Sequence, residues 1–281
     1  MHTELATKYN NLQALLKEMG SVAVSFSGGV DSTLVLKVAH DVLGEHAVAF
    51  TVESDFVPER EIEGARAFCA QEGVEHVVEA FPILEVAHVK KNPHDRCYYC
   101  KYAIFKHLKA EAGHRGIAYV VDGTNRDDDS DYRPGRAALR ELRIMSPLHQ
   151  CGMDKADIRA LSKDLGIAGW DRPSAACLAS RIPYGEHLSH AKLARVNHAE
   201  AFLMEKGFRM LRVRAEGAEG KTARIELMPA DMDRFFTPAM RRATDEAFRL
   251  LGFTHVSLDL RGYRMGSMNE GLHLSHEERH G

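Results

Sequence analysis

Eight residues, Ser25-Phe26-Ser27-Gly28-Gly29-Val30-Asp31-Ser32, restrict what this chain can fold into more than any other stretch. They follow Ser21-Val22-Ala23-Val24, a β-branched run suited to a buried strand, and lead into Thr33-Leu34-Val35-Leu36-Lys37-Val38-Ala39, whose apolar spacing is helical. Strand, glycine turn and helix in that order predict an α/β unit with an anion nest at its turn. The paired glycines let successive N–H groups curl inward, Ser27 and Ser32 add hydroxyl donors, and the following helix turns its positive end toward the same point. No Gly-Lys-Ser/Thr stands at the offset of a Walker loop, so no lysine from this stretch holds the outer phosphates. A phosphate cradle of another kind is expected; a glycine turn that binds nothing is the plainer alternative.

The same alternation continues. Helices are expected over 3–19, from Asp31 to Leu43, Pro58 to Gly73, Pro82 to Val89, Tyr98 to Glu111 and Asp154 to Leu165, with further strands over 47–52, 74–81 and 117–121. This order gives a parallel sheet with helices on both faces, whose ligands sit beyond the carboxyl ends of the strands. The phosphate loop and the turn Asp122-Gly123-Thr124-Asn125 both fall at such ends. From about Ser189 the cadence changes to a helix reaching Lys206, strands over 208–214, 223–228 and 253–260, and an intervening helix that ends at Leu251. The 281 residues are therefore read as a domain over 1–185 and a smaller α/β domain over 186–281. Helix-Gly-Phe-strand recurs at Gly207-Phe208 and Gly252-Phe253, a weak repeat.

No apolar run approaches the roughly 20 residues that cross a bilayer, and Met1-His2-Thr3-Glu4 lacks the features of a signal peptide, so a cytoplasmic location is expected. A net charge of −3 argues against a broad nucleic-acid surface and favours small anionic ligands. The run from Asp127 to Gly135 reads either as a solvated acidic loop or as carboxylates for Mg²⁺ beside an arginine for phosphate. Between Trp170 and Gly185, prolines and a glycine surround a thiol, a hydroxyl and a guanidinium, the makings of a functional loop.

The cysteines are Cys69, Cys97, Cys100, Cys151 and Cys177, an odd number without an export signal, which argues against disulfides. Cys97-Tyr98-Tyr99-Cys100 has the spacing of a zinc half-site, a thiol redox pair or part of an iron–sulfur site. His94, Cys97, Cys100 and Cys177 would complete a zinc set; Cys97, Cys100 and Cys177 alone would hold a 4Fe-4S cluster with one iron open to an extra sulfide. Packed helix-start thiols are the third reading. Cys69 and Cys151 read as structural. Arg212 and Arg214, two apart on a strand, share a face that is either a phosphate site or a solvated edge.

With these motifs placed, the chain resembles the LarE family of ATP-dependent sulfur transferases, within the pyrophosphate-loop ATP pyrophosphatases. The resemblance rests on Ser27 to Ser32, Cys97-Tyr98-Tyr99-Cys100-Lys101, Asp122-Gly123-Thr124-Asn125, Asp131-Tyr132-Arg133-Pro134-Gly135, Cys177 with Ser180-Arg181-Ile182-Pro183-Tyr184-Gly185, Arg212-Val213-Arg214 and Ala223-Arg224-Ile225-Glu226-Leu227. It implies that ATP adenylates a carboxylate of pyridinium bis-carboxylic acid mononucleotide, pyrophosphate leaves, and sulfur displaces AMP to give a thiocarboxylate for the nickel-pincer nucleotide cofactor. It further implies that Ser25, Ser27, Gly28, Gly29, Val30, Asp31 and Ser32 hold the ATP phosphates, with Mg²⁺ on Asp31. Backbone near Thr51 and the Gly123-Thr124 turn would hold adenosine. Lys101, Ser180 and Arg181 would meet anionic groups, Arg212 and Arg214 a substrate phosphate, and Glu200 and Asp231 a metal or the substrate.

Some family members have only the cysteine equivalent to Cys177 and sacrifice it; others have all three and appear in the cluster-bearing, repeatedly acting form, which the three thiols here predict. The resemblance also implies a homo-oligomer, a hexamer by family analogy, and a separate sulfide donor. The rival readings are a tRNA thiolase, which wants a basic surface, a pyrophosphate-loop amidotransferase, for which no glutaminase segment is evident, and a nucleotide-binding iron–sulfur redox sensor.

Overall fold

A computed structural model of the chain describes residues 3–130, 134–172 and 176–270. The motif residues Asp131, Tyr132 and Arg133, the stretch 173–175 and the tail from residue 271 lie outside the described residues. The chain forms two compact units, one from the described residues of Met1–Phe81 and Cys97–Ala175, the other from those of Pro82–Arg96 and Ala176–His273.

The first unit is built on four parallel strands, β1 (Val22–Ser25), β2 (Ala47–Glu53), β3 (His76–Ala80) and β4 (Tyr119–Val121), in the order β3-β2-β1-β4. Val22, Ala23 and Val24 are all buried, the continuous apolar pattern of a parallel strand covered on both sides. Val22 and Val24 pack with Leu12 and Leu16 of the helix Thr3–Met19 and with Leu34 and Val38 of the helix Val30–Leu43. Ala23 points the other way, into a cluster with Val48, Phe105 and Leu108, the last two from the helix Arg96–His114. Helices thus cover both faces of the sheet. From β1 the chain steps outward to β2 and β3, then returns past β1 to β4, so the strand order reverses beside the carboxyl end of β1. That reversal opens the crevice in which α/β sheets hold their ligands.

The second unit has a mixed sheet of β5 (Leu211–Glu216), β6 (Thr222–Leu227) and β7 (His255–Leu258), in which β5 and β6 are antiparallel and β6 and β7 parallel. The helices His190–Glu205 and Pro238–Leu250 start on side-chain caps, Ser189 accepting from the Lys192 N–H and Thr237 from the Met240 N–H. The continuous helix expected over Pro82 to Val89 is instead a 3₁₀ turn, Ile83–Glu85, and a short helix, Ala87–Lys90. Val86 lies between them at φ −74 and ψ 104, an extended conformation that interrupts the helical ladder. Among the described residues no helix is long and apolar enough to cross a membrane.

Candidate active site

The loop after β1 has the geometry of an anion cradle. Gly28 takes φ 71, open to glycine at little cost, and Gly29 stands as the N-cap of the helix Val30–Leu43. The Ser32 hydroxyl donates to the Gly29 carbonyl at 3.1 Å and lies 3.2 Å from the Ser27 hydroxyl, while the Ser27 N–H points to it at 3.3 Å. Phe26 continues the strand, its N–H bonding to the Phe50 carbonyl at 2.8 Å. Thr51 is buried in β2 and donates its hydroxyl to the Phe26 carbonyl at 2.7 Å, with a His76 ring nitrogen 2.7 Å from the Thr51 hydroxyl oxygen. Burial, with the Arg66 charge second, holds His76 below the usual histidine pKa, so the ring that braces the loop entry is neutral near pH 7.

The turn after β4 is packed onto the start of that helix. A Cβ on Gly123 would fall 2.8 Å from the Ser32 backbone nitrogen and 3.1 Å from the Asp31 carbonyl carbon, a separation only glycine permits. Asp122 keeps the turn in shape: one oxygen accepts from the Ser146 hydroxyl at 2.6 Å and the Thr124 N–H at 3.2 Å, the other from the Thr124 hydroxyl at 2.5 Å. Asp31, in the first helical turn, forms an ion pair with Lys155. Lys155 opens the helix Lys155–Asp164, which a capping box fixes: Asp154 accepts from the Asp157 N–H at 2.9 Å and Asp157 from the Asp154 N–H at 3.3 Å. The acidic run Arg126–Ser130 is a 3₁₀ turn tied down by basic groups, with Asp129 bonded to His149 at 3.0 Å and to Arg136 at 2.5 Å. Lys101 lies along Gly135, where a Cβ would meet its Cδ at 2.7 Å and the Cys97 carbonyl at 3.1 Å.

In the second unit, Cys177 is exposed and caps the short 3₁₀ turn Leu178–Arg181. Arg181 is buried behind it. Its guanidinium grips both Glu200 oxygens at 2.8 and 2.9 Å and donates to the Ala176 carbonyl at 2.7 Å, the Cys177 carbonyl at 3.1 Å and the Ser180 hydroxyl at 3.0 Å. Burial opposes the Arg181 charge, yet Glu200 outweighs it and raises the pKa above the ordinary arginine value. Glu200 is fully buried and also accepts from the Val213 N–H at 3.1 Å, so both groups are committed to each other. Arg214 repeats the arrangement with Glu226, at 2.9 and 2.8 Å, and donates to the Ser180 carbonyl at 2.6 Å. Arg212 differs: it stacks on Tyr263, 5.1 Å from the ring centre, and among the described residues no carboxylate pairs with it. Burial first, then Arg181, lower its pKa. Of the three arginines, Arg212 is therefore the one whose guanidinium has no carboxylate partner among the described residues. Asp231 stands apart at the start of the helix Met232–Phe235, 3.4 Å from Arg234.

Glu200→Gln leaves Arg181 without its charge partner, and the stability lost should be about 3–5 kcal/mol, read as a drop in melting temperature on the order of 10 °C. Asp231→Asn removes a partly exposed pair, and its melting temperature should stay within about 2 °C of the parent.

Cys97 and Cys100 lie one turn apart in the first turn of the helix Arg96–His114, half-buried, and Cys177 belongs to the other unit. Among the described residues no group of three or more His, Cys, Asp or Glu side chains is assembled as a metal site. Cys69 is buried in the core with its thiol pKa pushed up to about 12 by burial, and burial raises Cys151 as well, so neither is a ready nucleophile. Sequence reasoning missed Lys155 and His76, and it gave no role to Asp122 and Glu226, which it quoted only as parts of motifs. The local signal at Lys155, the Asp154 and Asp157 box around it, marks a helix start rather than a partner for Asp31.

A parallel sheet reversed at β1, a glycine cradle without a Walker lysine and a β4 turn packed on the cradle define the pyrophosphate-loop class of ATP-using enzymes. The asparagine synthase family model matches residues 12–111, the part that holds the cradle. An uncharacterised protein of Synechocystis is 40% identical over 95% of this chain and 99% of its own. The pyridinium-3,5-bisthiocarboxylic acid mononucleotide synthase of Lactiplantibacillus plantarum is 38% identical over 95% of this chain and 96% of its own. An uncharacterised protein of Methanocaldococcus jannaschii is 27% identical over 91% and 95%. The chain belongs to the LarE family of ATP-dependent sulfur transferases.

Proposed function

We propose that this enzyme activates a carboxylate of pyridinium bis-carboxylic acid mononucleotide with ATP and replaces the resulting adenylate with sulfur, in the synthesis of the nickel-pincer nucleotide. The observation that carries the reading is the identity to the Lactiplantibacillus synthase across 95% of the chain, with the cradle and Cys177 both inside the aligned span.

The chemistry matches the residues. A carboxylate resists attack by sulfur until its oxygen belongs to a good leaving group. The substrate carboxylate oxygen would attack the α-phosphorus of ATP, breaking the bond to the β-phosphate oxygen, and the N–H groups and hydroxyls from Ser27 to Ser32 would take the departing pyrophosphate. Asp31 offers the hard oxygen ligand that Mg²⁺ prefers, with Lys155 as a second cation at the same carboxylate. The turn at Gly123 and Thr124, with backbone near Thr51, would seat the adenosine, and Lys101 would face an anionic group of nucleotide or substrate. Arg212 would bind a substrate phosphate, with Arg214, Arg181 and Ser180 shaping that surface. A sulfur nucleophile then attacks the acyl carbon and the bond to the AMP oxygen breaks.

The sulfur is proposed to come by way of Cys177. Cys97 and Cys100 are soft donors at half-site spacing, and with Cys177 they are proposed as thiolate ligands of a 4Fe-4S cluster, which would supply a bound sulfide when present. Glu200 and Asp231 enter this reading as a brace for Arg181 and as a surface carboxylate. A cytoplasmic location, division of labour between 1–185 and 186–281, a homo-oligomer up to a hexamer and an external sulfide donor belong to the same reading. Mass spectrometry of the anaerobic reaction with ATP, sulfide source and the pyridinium mononucleotide tests it. The expected product has sulfur in place of a carboxylate oxygen; thiolated tRNA with an unchanged mononucleotide would overturn it in favour of the tRNA thiolase.

A further inference from the structure

Arg96 opens the helix that carries Cys97 and Cys100, yet its own side chain lies in the second unit, 2% exposed. One guanidinium nitrogen donates to the Asn92 side-chain oxygen and, at 3.2 Å, to the Ala179 carbonyl; the guanidinium stands 5.7 Å from the centre of the Tyr184 ring. Asn92 is fully buried at φ 56, a left-handed conformation that disfavours any residue with a Cβ and would suit glycine better. What an asparagine adds there is its amide, which donates to the Pro183 carbonyl at 2.7 Å and the Ile182 carbonyl at 3.3 Å. Its backbone carbonyl accepts from the Gly185 N–H at 2.8 Å, and the Lys90 carbonyl from the Leu188 N–H at 2.9 Å.

The bonds to Ala179, Ile182 and Pro183 fall on one turn and its exit. A 3₁₀ turn of four residues has little stability of its own. Here the turn that begins at Cys177 is held from behind by three buried guanidiniums: Arg181 on the carbonyls of Ala176 and Cys177, Arg96 on that of Ala179, and Arg214 on that of Ser180. Asn92 fixes its exit at Ile182 and Pro183. With its carbonyls anchored inward, the turn leaves Cys177 exposed.

We infer that Asn92 and Arg96 are positioning residues for Cys177, acting through the Ala179, Ile182 and Pro183 carbonyls to hold the turn in the orientation that sulfur delivery needs. The catalytic half of this inference rests on the proposed function; the structural half does not. The test uses Arg96→Met, which keeps an unbranched apolar stem in the buried site but has no donor, and Asn92→Gly, which relieves the backbone while removing the amide. Amide hydrogen exchange of the segment 176–185, measured without ligands, should speed up about tenfold or more in each variant, with the β1 and β2 amides unchanged. Pyrophosphate release dependent on substrate should stay within about twofold of wild type, while thiocarboxylate formation falls about tenfold or more. Equal losses in both half-reactions, or unchanged exchange in 176–185, would overturn the inference. If Arg96→Met does not fold, Asn92→Gly carries the test. If the wild type makes neither pyrophosphate nor thiocarboxylate, the proposed function fails, and the exchange data alone decide whether these residues hold the turn.

Discussion

Gly123→Ala should lower ATP-dependent pyrophosphate release by on the order of a hundredfold while the protein stays folded. The added methyl would sit 2.8 Å from the Ser32 nitrogen and 3.1 Å from the Asp31 Cβ and carbonyl carbon. Backbone cannot swing aside as a flexible side chain does, so the start of the helix Val30–Leu43 must shift, and with it the Ser32 hydroxyl and the Asp31 carboxylate. Those groups are proposed to meet ATP, so a displacement near an ångström affects the reaction far more than the fold. Gly64→Ala is the control: it lies in the helix Glu59–Glu72 with nothing within 4 Å of its missing Cβ, and it should leave the rate unchanged. A Gly123→Ala protein with wild-type pyrophosphate release would mean that the β4 turn does not shape the cradle.

Cys177→Ser should reduce thiocarboxylate formation to background and leave substrate-dependent pyrophosphate release in place. A serine hydroxyl has nearly the size of the thiol but neither carries transferable sulfur nor ligates iron as a thiolate does. The turn should survive the change, because its anchors are carbonyls and the buried Arg181, Arg214 and Arg96 side chains. Following both products in one reaction separates the halves of the mechanism. In the wild type, more than one thiocarboxylate per chain supports the reading with Cys97, Cys100 and Cys177 on a cluster. A single turnover with sulfur lost from Cys177 supports a sacrificed thiol. Wild-type product from Cys177→Ser would remove this residue from the sulfur path.

Local features were legible in the sequence and long-range partnerships were not. The strand, cradle and helix from Val22 to Leu43 could be read because every determinant lies within one short stretch: a β-branched run, two glycines and a helical apolar period. The turn at Gly123 could be named but not the reason for its glycine, which is the backbone of Asp31 and Ser32. Lys155 escaped because its partner Asp31 is 124 residues away. Arg181 and Glu200 stood out as charged residues, while their bonding to each other rather than outward depends on how a turn docks on the helix His190–Glu205. The sequence places Pro82–Arg96 in the domain over 1–185, as a helix from Pro82 to Val89 and a loop. Its place in the second unit is set by buried bonds from Asn92 to Ile182 and Pro183, which leave no periodic trace.

The proposed activation of a carboxylate requires that ATP be cleaved between its α and β phosphates. The direct measurement is the identity of the nucleotide products, resolved by chromatography and phosphorus NMR, with and without the pyridinium mononucleotide. With a sulfide source present, AMP and pyrophosphate are expected in equal amounts, formed only when that substrate is present and lowered about a hundredfold by Gly123→Ala. ADP with inorganic phosphate, or ATP left intact beside a thiolated product, would contradict the proposed activation.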